Sequence, residues 1–216
     1  MMVSCSKNDA GKPNAELNET DIKIHYDDIF VFYVENYFVD EWELSTDSIG
    51  TVDEDGLFKA SRVGEAELSA IIKGVPKDLK AKITVEPYIT DFIEPFKKPM
   101  NSEDIISGEA RDFVEATSTG IRFSGEDDFG WIVYYMKDDV SYRVDVNLKR
   151  DTETFEKYEL YFNERYKQTS FSKDRRTYQD GDTRITLDYT SNGAPLVFML
   201  REGLMYESQI LFNNDL

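Results

Sequence analysis

The chain has 216 residues, 40% hydrophobic and 13% aromatic, which is enough apolar material for one or two folded cores and too much for a disordered polymer. Acidic residues outnumber basic ones 43 to 25, and the net charge of -18 repels phosphate backbones, so nucleic acid is not an expected partner. With one histidine, His25, and one cysteine, Cys5, no Cys/His zinc cluster and no disulfide within the chain is available, and a Ser-His-Asp or Cys-His catalytic set would have to use one of those two.

The chain opens on "MVSC" followed by "SKNDAGKPNAELNET", small and apolar residues ahead of Cys5 and then a polar stretch without the apolar content to form a core. Residues 1–20 are therefore expected to be a flexible tether. The pattern resembles the end of a bacterial lipoprotein signal. That resemblance implies that Cys5 carries the lipid anchor, with the charged and apolar parts of the signal upstream of Met1. It also implies a place in the envelope of a Gram-negative bacterium, at the outer membrane or surface, with membrane contact through the anchor only. No apolar run reaches the roughly 18 residues that a spanning helix needs.

From Asp21 the pattern alternates, and "IKIHY" and "IFVFYV" read as strands. His25 lies in the first and is expected to be an ordinary strand residue. In "DEDG" the glycine, Gly56, suits a tight turn of positive φ between "TV" and "LFKA". Gly64 marks a further turn, and "AELSAII" and "LKAKITV" add two strands, which together predict a meander of short strands. Trp42, the Ser45 to Ser48 segment, Val52-Asp53-Glu54-Asp55-Gly56, Gly64-Glu65-Ala66 and Ile83-Thr84-Val85 stand in the order of the bacterial Ig-like domain of group 2, which residues 21–86 resemble. The resemblance implies a β-sandwich used as a spacer or adhesive unit on bacterial surfaces. Trp42 is expected to fill the space between its two sheets. Asp53 and Asp55 miss the spacing of a calcium loop and read as turn formers.

Residues 87–100, "PYITDFIEPFKKPM", hold three of six prolines and read as a stiff connector. Over 101–216 an α+β domain is expected. Ile105, Ile106, Ala110, Phe113 and Val114 fall at helical spacing, with Asn101 or Ser102 as the cap and Gly120 beyond the end. Strands follow in "GIRFSG", "GWIVYYMK" and "SYRVDVNL". In the last, Tyr142, Val144, Val146 and Leu148 face one way and Arg143, Asp145 and Asn147 the other. "DTETFEKYELYFNERYK" fits two forms: Tyr158, Leu160 and Phe162 alternate as in a strand, while Phe155, Tyr158, Phe162 and Tyr166 fall on one helical face with Thr152 or Thr154 as cap, and the helix is the favoured expectation. Strands return in "QTSFS", "TRITLDYT", "APLVFML" and "LMYESQILF", the middle pair joined at Asn192-Gly193.

The expected fold is thus β followed by α+β: an Ig-like sandwich, then two helices packed on an antiparallel sheet in the order αβββ-αβββ(β), a duplication of about 50 residues. Trp131, Tyr134, Tyr135, Tyr142 and Tyr161 suggest a carbohydrate platform, although strands favour aromatic residues in any case. The acid pairs Asp127-Asp128 and Asp138-Asp139 read as hairpin turns. No catalytic, cofactor-binding or metal-binding residue is assigned. The expected function is a non-enzymatic envelope protein whose Ig-like spacer presents a module that binds protein or glycan. Two alternatives stand beside it: an inhibitor or scaffold that grips another protein with its open sheet face, and a small hydrolase that relies on carboxylates alone. The hydrolase requires two acids converging in a pocket, at least one with a raised pKa.

Overall fold

A computed structural model describes residues 14–75, 79–92, 94–125, 128–149, 151–189 and 196–200, with Phe129 and Met199 as backbone only. Cys5, Asp127, the Asn192-Gly193 turn and the strand expected in "LMYESQILF" lie outside the described residues. The chain divides into two compact units, Met1–Tyr88 and Ile89–Leu216.

Unit 1 consists of β1 (Asp21–His25), β2 (Ile29–Val31), β3 (Glu41–Leu44), β4 (Gly50–Val52), β5 (Leu57–Ala60), β6 (Gly64–Ile71) and β7 (Leu79–Glu86). They form one sheet of order β1-β7-β6-β3 and a second of order β2-β5-β4. This is not the simple meander expected, because β1 runs parallel to β7, with Ile22 opposite Ile83 and Ile24 opposite Val85. Pairing the first strand with the last places Ile22 beside Ile83 and Val85, in a core that Phe58 and Ala60 enter from the other sheet. Apolar area removed from water drives that closure, and local sequence does not reveal it. Trp42 is half-buried and packs against two apolar clusters, so it is a core neighbour and not a fully enclosed plug. Gly56 has φ +79, and a Cβ there would lie 2.3 Å from the Phe32 carbonyl oxygen and 3.0 Å from Cζ2 of Trp42, which explains the glycine in the acidic turn. The stretch assigned to the tether is bonded to this unit at its end: Leu17 bridges Val34, and the Asn18 amide donates to the Tyr33 carbonyl.

Unit 2 contains α1 (Ser102–Gly108), β8 (Phe113–Ala116), β9 (Gly120–Ser124), β10 (Phe129–Lys137), β11 (Val140–Leu148), α2 (Thr152–Asn163), β12 (Lys167–Ser172), β13 (Arg175–Asp180), β14 (Thr183–Asp188) and β15 (Leu196–Met199). All eight strands join one antiparallel sheet, in the order β12-β13-β14-β15-β11-β10-β9-β8. Each helix is followed by four strands, and the two groups meet at β11 and β15. The first helix is shorter than its periodicity predicts. It ends at Gly108, and Phe113 and Val114 belong to the exposed edge strand β8, where Phe113 meets Phe123 edge to face. Gly108 is a poor interior helix residue, and the Phe-Val-Glu-Ala run gains a strand partner in β9. The second helix forms as expected but is capped by Asp151, whose carboxylate accepts from the Thr154 amide at 2.7 Å, and not by Thr152 or Thr154.

The proline-rich segment expected as a connector packs into unit 2. Phe92 is buried, with Ile89, Phe96 and Met100 against the same cluster. The backbone polar groups of this strap find side-chain partners far along the chain. The Ile89 amide donates to the buried Glu164 carboxylate, the Ile89 carbonyl accepts from Arg165, and the Phe96 amide donates to the Tyr134 hydroxyl. Met100 and Ser141 bond reciprocally, amide to hydroxyl and amide to carbonyl. Buried polar backbone without such partners would be costly, so these side chains fix the strap in place.

Candidate functional site

Alternation along β10 divides unit 2 into two faces. Ile132, Tyr134 and Met136 are buried in the cluster that also holds Ile105 of α1 and Tyr158, Tyr161 and Phe162 of α2. Trp131, Val133 and Tyr135 point the other way and are only half-buried. Among the described residues both helices cover the same face, and the opposite one presents side chains outward.

Cross-strand register organises that open face into rows. One row runs across the whole sheet as Glu115, Arg122, Val133, Asp145, Val197, Thr186, Thr177 and Ser170. Beside it lie Tyr135 opposite Arg143 on one flank and Trp131 opposite Asn147 on the other. A bulge between Tyr135 and Met136 alters the expected pattern of β11. Ser141 takes the core side, where it is fully buried, and Tyr142 stands 6.5 Å from the Tyr135 ring on the open side. Tyr142 therefore does not share a face with Val144 and Val146, because the extra residue inverts the alternation at that point.

Of the aromatics that suggested a platform, Tyr134 and Tyr161 are core residues. Trp131, Tyr135 and Tyr142 remain on the open face, around a charged centre. Arg143 donates to Asp145 through two nitrogens at 2.5 and 2.6 Å, and its guanidinium lies 5.3 Å from the Tyr135 ring centre. Asp145 is 4% exposed. Burial pushes its carboxyl above the ordinary range against the pull of Arg143, while burial and the Asp145 charge together push the Tyr135 hydroxyl up to about 12. The phenol thus stays protonated and donates to Asp145, and the three side chains hold one another in a fixed arrangement.

The sheet edges are less suited to recruiting another strand. Both β8 and β12 carry a register shift, between Phe113 and Glu115 and between Gln168 and Ser170, which interrupts the row of free backbone groups. A separate cleft is lined by Glu94, Lys97, Asp180 and Asp182, and in it Lys97 already bonds Glu94 at 2.6 Å and Asp180 at 2.7 Å.

The remaining singled-out residues have local structural roles. His25 ends β1 with its ring stacked on Tyr88 at 4.5 Å. Asp53 accepts from the amides of Asp55 and Leu57, so it builds the turn. Asp138 and Asp139 have φ 51 and 58, the two positive values of a tight hairpin turn between β10 and β11. Asp128 bonds Lys157 at 2.6 Å. Among the described residues no three His, Cys, Asp or Glu side chains come together as a metal site would require, and no helix is long and apolar enough to cross a membrane. Comparison with protein-family models gives no match, and comparison with curated proteins gives no significant one.

Proposed function

We propose that the chain is a non-enzymatic lipoprotein of the bacterial envelope, in which an Ig-like unit anchored through Cys5 presents unit 2, and that unit 2 binds a protein partner with its open sheet face. The two-sheet arrangement of unit 1 and the turn at Gly56 agree with the group 2 Ig-like resemblance, and the helix-plus-four-strands order repeated in unit 2 agrees with a duplication. The observation that carries the binding reading is the half-buried patch of Trp131, Tyr135, Tyr142 and Arg143 at the centre of a broad face that neither helix covers. Tryptophan, tyrosine and arginine are the residues that dominate binding energy where proteins meet. A broad sheet face also offers more contact to a protein than to a single sugar, which favours the inhibitor or scaffold form of the function over a glycan platform. The carboxylate-hydrolase alternative has less support: Asp145 is the acid that burial raises on this face, and Arg143 and Tyr135 already occupy it.

The test is the particle size of the native protein in detergent extracts of its own envelope. The wild-type chain is expected in a complex larger than itself, and Trp131→Ala combined with Tyr135→Ala should release it, whereas Glu156→Ala on the exposed side of α2 should not. A wild-type chain that migrates alone, or a complex indifferent to the open-face pair, overturns the reading.

A further inference from the structure

The two sheets of unit 1 differ on their outer sides. Outside the β1-β7-β6-β3 sheet the charges are paired: Lys82 bonds Glu65 at 2.7 Å, Lys80 bonds Glu67, and Lys23 lies 3.6 Å from Glu86. β2, at the edge of the other sheet, is apolar on both sides. Phe30, Phe32 and Val34 belong to the core clusters, while Ile29, Val31 and Tyr33 alternate with them and are each more than half exposed. Half-buried Leu57 stands opposite Val31 on β5 and extends this stripe sideways. Beyond Val34, Phe38 is 97% exposed. Its neighbours Tyr37 and Val39 both pack on the cluster of Val34, Ala70 and Ile72, so the loop is pinned on either side and presents Phe38 outward. Large apolar side chains gathered on one exposed surface mark a place that meets an apolar phase or a partner.

The described chain begins beside this surface. Leu17 bridges Val34 in the antiparallel sense, the Glu35 amide donates to the Glu16 carbonyl, and the Asn18 amide donates to the Tyr33 carbonyl. Upstream of Leu17 the chain therefore runs toward the Phe38 loop, and Ala15 packs on the same cluster as Tyr37 and Val39. Cys5 lies nine positions before Asn14, and nine residues reach at most about 30 Å.

We infer that unit 1 rests on the lipid surface to which Cys5 is anchored, with Phe38 entering the headgroup region and the stripe of Ile29, Val31 and Tyr33 lying against it. The inference rests on the lipoprotein reading and adds a second membrane contact to the anchor. Phenylalanine and tyrosine suit this boundary, the first through its apolar ring and the second through a ring with a polar tip. Apolar contact with a bilayer scales with area, and so few side chains would not hold a protein there alone. A short tether changes this, because it keeps the two surfaces at an effective concentration of about a millimolar, where a weak contact is populated. The surface must be one of neutral headgroups. Exposed Glu35 and Asp40 flank the Phe38 loop and Glu16 is bonded to Glu35, so anionic lipid would repel the site at low salt.

The experiment uses the whole chain, whose single cysteine, Cys5, can be coupled to a maleimide-bearing lipid in phosphatidylcholine vesicles. In a Trp42→Phe, Trp131→Phe background, shown to be folded by circular dichroism, one tryptophan is introduced by Phe38→Trp, by Val31→Trp, or by Glu43→Trp on the exposed side of β3. Vesicles with brominated acyl chains quench a tryptophan that touches them. Quenching at positions 38 and 31 should exceed that at position 43 by about threefold or more, because only the first two meet lipid. Equimolar phosphatidylglycerol should reduce the quenching at low salt, and added salt should restore it. Equal quenching at all three positions, none at position 38, or stronger quenching in the anionic vesicles overturns the inference. A photoreactive amino acid at position 38 in cells should form lipid adducts, and a discrete protein adduct there would give the surface to a protein and overturn the inference as well. Chemical coupling supplies the anchor in the vesicles, so the two readings fail separately. Absence of fatty-acid label at Cys5 in cells removes the anchor, whereas label retained without quenching at position 38 removes only the contact.

Discussion

Replacing Phe92 by alanine tests whether the proline-rich strap belongs to the core of unit 2. Phe92 is 7% exposed, and its ring meets Tyr158 at 4.8 Å, Tyr161 at 4.9 Å and Phe162 at 6.0 Å, all nearly edge to face. Truncating a buried phenylalanine costs about 3–5 kcal/mol, and the lower end applies here because a strap can shift inward more readily than a helix or strand. For a domain of this size about 3 kcal/mol corresponds to a drop of about 10 °C in melting temperature. Each unit holds one of the two tryptophans, Trp42 and Trp131, so urea unfolding followed by fluorescence in a Trp42→Phe background reports on unit 2. Exposed Lys98 in the same strap supplies the control, since Lys98→Ala should change stability by no more than about 0.5 kcal/mol. If Phe92→Ala costs less than about 1 kcal/mol, like the surface control, the segment is a connector and its packing plays no part in holding unit 2 together.

Gly56→Ala should destabilise unit 1 by more than about 1 kcal/mol, because it combines a positive φ with a clash against the Phe32 carbonyl; an unchanged Trp42 unfolding transition would count against the turn geometry. The Thr154 amide holds the Asp151 carboxyl below its ordinary range. A depressed folded pKa gives stability that is present above the unfolded carboxylate range and lost as pH falls through the folded value. The melting temperature of the wild type should therefore fall more steeply on acidification than that of Asp151→Asn, and parallel curves would remove the cap from the account. Cys5→Ser in the natural gene should abolish fatty-acid labelling and move the protein from membrane to soluble fractions, and label retained in the mutant would exclude the anchor.

Strands that alternate cleanly were legible in the sequence. "GWIVYYMK" and "SYRVDVNL" pair as β10 and β11, and Asp138-Asp139 closes them. β13 was missed because "RRTYQD" has a single buried aromatic, Tyr178, and its Arg176 is buried through a long stem and an ion pair with Glu159, which hydrophobic alternation does not register. The Gly181-Asp182 turn, with Gly181 at φ 54, was the available signal for a hairpin there. α1 was overextended because Phe113 and Val114 fit a helical stripe as well as a strand, and only the neighbouring β9 decides between them. The strap was misjudged for a related reason: prolines forbid regular structure, but its order comes from Glu164, Arg165 and Tyr134, which lie 38 to 76 residues away in the chain. The open face was foreseen in outline, since one-sided helices leave a sheet face uncovered, whereas the position of Tyr142 depends on a bulge with no distinct sequence mark.

The most direct measurement is a map of photo-crosslinks formed in living cells, with a photoreactive amino acid placed singly at Val133 and Thr186 on the open face and at Glu153 and Glu156 on α2. The account expects a discrete protein adduct from Val133 and Thr186 that disappears when Trp131→Ala is added, with none of that mass from the two helix positions. Adducts of the same mass from Glu153 or Glu156, or no adduct from either sheet position, would contradict the claim that unit 2 meets its partner through the sheet face opposite its two helices.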